Sequence, residues 1–150
     1  MILDRWNALI KNCDNLLGSL SDEQLMKELA PGKNRGVYLI GHLIAVHDDM
    51  RPLLNFGEKQ YPHLYEPFLK SADKTVAEIP SAKELRQIWS TQSAELTQKF
   101  NSLSPDEWFT KHNSVSAEDF GDEPHRNKLN ILITRTTHLA YHLGQLTLLK

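Results

Sequence analysis

Four stretches of this chain repeat their apolar residues at the three-and-four spacing of a helix face, and none alternates apolar and polar residues as a half-buried strand does. The first stretch, about residues 2–17, carries Trp6, Leu9, Ile10, Cys13, Leu16 and Leu17 on one stripe. The second covers about 34–55. The third, about 81–103, opens on Ser81 with Glu84 three residues later and carries Leu85, Ile88, Trp89, Leu96, Phe100 and Leu103. The fourth, about 127–150, is apolar around much of its circumference. Ser21-Asp22-Glu23-Gln24 reads as the capped start of a short helix ending before Pro31-Gly32. Ser104-Pro105-Asp106-Glu107 reads as another, with proline at the first helical position. Two long connections remain, 56–80 and 111–126, and loops of that length often line a site. The pattern predicts an all-α protein: a four-helix bundle with short extra helices and long connections between its second and third and its third and fourth helices.

Composition narrows the class further. At 150 residues the chain is one domain's length, 1–150, and long enough to bury a core without staples. Seventeen basic against nineteen acidic residues leave a formal charge of −2, which argues against a surface that tracks nucleic-acid phosphates. No uncharged apolar run approaches the ~20 residues of a membrane span, and the first residues lack the basic and apolar regions of a signal peptide. The single cysteine, Cys13, excludes an internal disulfide and a cysteine-rich zinc site. The expectation is a cytoplasmic protein with no nucleic-acid or membrane partner. Seven histidines are the unusual entry in its composition.

His138 and His142 stand four apart on the last helix, about 40° apart around its axis and one turn apart along it. Two imidazoles so placed can hold one metal ion without distorting the helix. Leu139 stands where a zincin protease has its glutamate, so the general base of that peptidase mechanism is missing. A third ligand must come from elsewhere, and the second helix offers His42 and His47. They lie on opposite edges of the stripe of Leu39, Leu43, Val46, Met50 and Leu53, and periodicity does not choose between them. Asp49 shares the His42 edge and is placed to orient an imidazole or contact a metal. His47, beside Asp48 and Arg51, reads as a solvated edge.

Gly41-His42-Leu43-Ile44 in the second helix, with Thr137-His138-Leu139-Ala140-Tyr141-His142-Leu143-Gly144-Gln145 in the last, resembles the DinB/YfiT-like family. The similarity extends loosely over the whole chain, through helix order, the Leu-Ser-Asp-Glu-Gln segment after the first helix and Leu-Ser-Pro-Asp-Glu-Trp after the third. The resemblance implies a four-helix bundle with a divalent metal on His42, His138 and His142 and open positions for water or substrate. Zinc, nickel, manganese or iron suits three imidazoles. It also implies a choice of activities, since relatives include thiol-S-transferases using low-molecular-weight thiols, a thiol-dependent isomerase and metal-dependent hydrolases. Similar proteins often dimerise.

On this reading the chain is an enzyme activating a water or a small thiol for attack on a small-molecule substrate. Asp49 is the nearest candidate general base. Arg135, one turn before His138, either anchors a substrate carboxylate or pairs with Asp48, Asp49 or a loop acid. Gln145 either hydrogen-bonds a ligand histidine or sits at a helix contact. His63, His112 and His125 fall in the long connections and read as solvated. Cys13, Trp6, Trp89 and Trp108 read as packing residues. The competing class is a non-catalytic metal- or ligand-binding bundle, a homodimer packed through Leu148 and Leu149 near the terminus.

Overall fold

The chain begins with α1 (Ile2–Ser19), and the computed structural model describes residues 1–150. Two capping boxes start the next elements that the sequence marks. Ser21 Oγ accepts the Gln24 N–H at 3.1 Å while the Gln24 side chain accepts the Ser21 N–H at 2.9 Å, opening α2 (Asp22–Leu25). Ser81 and Glu84 exchange the same pair of bonds at the start of the longest helix, Ala82–Ser102. Between them lie α3 (Gly36–Asp48) and α4 (Met50–Leu53), so the Ala82–Ser102 helix is α5.

The second periodic stretch does not form one helix. Proline has no N–H and its ring crowds the carbonyl four residues back, and Pro52 stands four residues after Asp48, where α3 stops. The chain turns at Asp49, makes the single turn of α4, and closes it with Asn55 in the left-handed region at φ 64°. Asn113, from the far connection, donates its backbone N–H to the Leu53 carbonyl at 2.9 Å and its side-chain amide to the Pro52 carbonyl at 2.7 Å. Those bonds satisfy carbonyls that a helix end leaves open.

Neither connection is structureless. Pro62–Leu64 is a 3₁₀ turn, Glu66–Lys70 a π-helical turn, and Ser116 caps a short α6 (Ala117–Asp122) by accepting the Asp119 N–H at 3.0 Å. The Ser104 segment makes its cap bonds with Glu107 but leads only to a 3₁₀ turn, Glu107–Phe109. Asn127 caps α7 (Lys128–Leu146), and a last 3₁₀ turn spans Thr147–Leu149. The fold is all-helical, without strands, and carries two isolated bridges, Glu28–Arg35 and Lys111–Asn127. No helix is long and apolar enough to cross a membrane.

Each of the four long helices packs on two others: α1 on α5 and α7, and α3 on α5 and α7. The π turn and the 3₁₀ turn before it cover α3 as well. That surplus of neighbours is why Val37, Leu39, Ile40, Leu43, Ile44 and Val46 on one half of α3 and Gly41, Ala45 and Asp48 on the other are all buried. Trp6, Trp89, Phe100 and Trp108 fill the same core, with Trp6 donating its indole N–H to Thr97 and Trp89 to Asp14. Cys13 is buried among them, and burial pushes its thiol pKa up to about 12. Leu149 belongs to this core and is not free to meet another subunit, whereas Leu148 is exposed.

Candidate metal centre

α3 and α7 face each other with His42 on one and His138 and His142 on the other. One ring nitrogen from each of the three lies within 4.8 Å of the other two. His42 Nε2 stands 3.2 Å and His142 Nε2 3.0 Å from His138 Nε2. Two nitrogens bound ~2.0–2.1 Å from a tetrahedral zinc lie ~3.3 Å apart, so the spacing is that of a ligand set.

Proton bookkeeping makes the case sharper. His42 Nδ1 lies 3.0 Å from the Phe68 carbonyl oxygen, which can only accept, so Nδ1 carries the proton and Nε2 presents a lone pair. His142 Nδ1 lies 2.7 Å from Gln145 Oε1, with the Gln145 amide group turned toward Tyr141 Oη, which fixes the same tautomer. Two bare lone pairs therefore point at His138 Nε2. A proton there satisfies one of them and leaves the other unmet; a proton on His138 Nδ1 leaves three lone pairs facing one another. A cation resolves all three, and the residues present fit one.

Electrostatics favour the neutral rings that binding requires. Burial, then the neighbouring His142, His42 and Arg135 charges, bring the His138 pKa down to about 4. Burial lowers that of His142 too, against the raising effect of Gln145. The π turn approaches α3 most closely at Gly41: a Cβ there would overlap the Phe68 ring, so glycine lets the turn lie on α3 and bring its carbonyl to His42. Tyr38 stacks on the His42 ring and donates its hydroxyl to the Ser71 carbonyl at 2.8 Å, pinning the end of the same turn.

His47 is not a solvated edge. It is fully buried, wedged between the rings of Trp6 and Trp89 at 5.1 and 5.4 Å, with neither ring nitrogen hydrogen-bonded. Its burial, with Arg135 and the nearby histidines adding to it, lowers its pKa to about 3. Asp48 is likewise buried, accepting the Gln60 and Tyr61 N–H groups at 3.0 and 2.8 Å and so tying the 56–80 connection to α3. Asp49 does not orient His42, whose Nδ1 is taken by Phe68; it pairs with Lys59 at 2.5 Å. Arg135 makes no ion pair with Asp48, Asp49 or any loop acid; Arg51 instead pairs with Glu95. His112 is buried and bonded to Ser114 Oγ at 2.9 Å, and burial lowers its pKa, while His63 and His125 are exposed as expected. Sequence reasoning missed the Phe68 carbonyl altogether, because a backbone acceptor leaves no residue signature.

An all-helical chain with three inward imidazoles on two facing helices is the class of protein defined so far. The family model of the DinB superfamily matches residues 5–146, and the chain belongs to that superfamily. No curated protein matches the chain.

Proposed function

We propose that the chain, as a single four-helix-bundle domain, is a divalent-metal-dependent enzyme acting on a small molecule, a hydrolase or a thiol-S-transferase. The observation that carries this reading is the convergence of His42, His138 and His142 with two tautomers fixed from behind. A zinc, nickel, manganese or iron ion held there supplies Lewis acidity, which lowers the pKa of a water or low-molecular-weight thiol. The chain's own part is to keep His138 and His142 neutral, to aim three Nε2 lone pairs at one point, and to hold the Nδ1 protons of His42 and His142 on Phe68 and Gln145 so that those donors stay basic. The near balance of 17 basic and 19 acidic residues supports a small-molecule substrate over nucleic acid.

A second reading has one observation behind it. Asp49 is drawn off by Lys59, and no carboxylate contacts the three imidazoles, which favours a non-catalytic metal-binding module, paired with a second copy through the exposed Tyr141 and Leu148.

Elemental analysis of the tag-free protein separates these. The expected result is an equimolar transition metal in wild type and in His47→Leu, lost in His42→Ala and His142→Ala. Wild type that stays metal-free after incubation with zinc, nickel, manganese and ferrous iron overturns both readings. Loaded protein that turns over no thiol or ester substrate leaves the second.

A further inference from the structure

Arg135 is a half-buried guanidinium that forms no ion pair with any acid of this chain. It stands three residues before His138 on α7, so the two share a face and are offset by ~4.5 Å along the axis. Its Nε is shut off from solvent and meets no acceptor, and burial lowers its pKa while leaving it a cation. Every acid within reach is committed elsewhere. Asp49, whose charge it feels most, is held by Lys59 at 2.5 Å. Asp48 holds two backbone N–H groups and lies 3.7 Å from Arg51, and Glu95 also pairs with Arg51. The imidazole behind it, His47, is neutral near neutral pH and offers no compensation. A guanidinium sheltered at Nε with no ion-pair partner leaves donors unused, and a planar fork of donors beside a metal-ligand set suits a carboxylate.

We propose that Arg135 is the anion-binding subsite of the three-histidine centre, and that the small molecule taken there carries a carboxylate set apart from its metal-seeking atom. This rests on the metal reading above, and the test keeps the two separable. The probe pair is para-mercaptobenzoate and para-mercaptobenzyl alcohol, whose rigid ring prevents acid and sulfur from chelating one ion. Binding is read on cobalt(II)-loaded protein from the thiolate-to-cobalt absorption band. Wild type is expected to bind the acid at least about tenfold more tightly than the alcohol, the worth of one charge-assisted contact. In Arg135→Gln the preference collapses toward unity with the alcohol's affinity unchanged. In metal-free protein, the sheltered Arg135 Nε–H resonance, identified by its loss in Arg135→Gln, is expected to shift saturably with para-mercaptobenzoate and not with the alcohol. Equal affinities in wild type, or an acid preference that survives Arg135→Gln, overturn the proposal. A resonance that shifts while no thiol produces a cobalt band supports the subsite and refutes the metal reading. Neither signal overturns both.

Discussion

Wedging His47 between two tryptophans should make the protein acid-sensitive through that one ring. An unfolded histidine titrates near 6.5, whereas this one titrates at about 3 in the fold. The folded state therefore refuses a proton that the unfolded state accepts, so stability is complete above 6.5 and falls as pH drops through the interval down to about 3. Each pH unit inside that interval costs about 1.4 kcal/mol, so moving from about pH 7 to about pH 4.5 removes roughly 2–3 kcal/mol through His47 alone. For a chain of this length that is a fall of roughly 5–10 °C in Tm. The perturbation is His47→Leu, which keeps the volume, deletes two unpaired nitrogens and should be near neutral in stability at about pH 7, within ~1 kcal/mol. Urea or thermal unfolding of both proteins at the two pH values gives the double difference, from which the lowered histidines His112, His138 and His142 cancel. If wild type loses no more stability than His47→Leu on acidification, His47 is charged in the fold and its burial between Trp6 and Trp89 is refuted.

Three further outcomes follow from the geometry. Gln145→Leu removes the acceptor of the His142 Nδ1 proton, and metal affinity read by competition with a chromogenic chelator should fall about 10–100-fold with the fold intact. Gly41→Ala drives a methyl into the buried Phe68 ring; overpacking should cost about 1–3 kcal/mol in urea unfolding, and an unchanged midpoint would mean the π turn is not seated on α3. Cys13, with its thiol raised to about 12 and buried in the core, should resist iodoacetamide at about pH 8 in the native protein and react fully once unfolded.

How much of this was legible in the sequence depends on where the information sits. Helix starts were readable because serine caps with glutamine or glutamate three residues later are local chemistry, as Ser21 and Ser81 bear out. The His138–His142 pair was readable because a fixed helical offset needs no tertiary knowledge. The break after Asp48 was legible too, since Pro52 carries it, yet the apolar stripe ran through it and hid it. His47 was misplaced because α3 is enclosed on all sides: a stripe-and-edge argument assumes one wet face, and here the wet face is missing. The Ser116 cap of α6 and the burial of His112 lie in a segment where no long apolar period announces structure. The acceptors behind the imidazoles divide the same way: Gln145 is a side chain three residues from its partner and was among the candidates, while Phe68 offers only its backbone.

That backbone contact has a consequence for how such a chain can change. A carbonyl has the same basicity whichever amino acid bears it, so the group that fixes the His42 tautomer carries no side-chain identity. The 56–80 connection can therefore exchange its exposed residues, though not the buried Phe68 ring that fills the space over Gly41, while the imidazole behind it keeps its proton on Nδ1. What has to be retained is the path of five residues, Glu66–Lys70, over the gap left by Gly41.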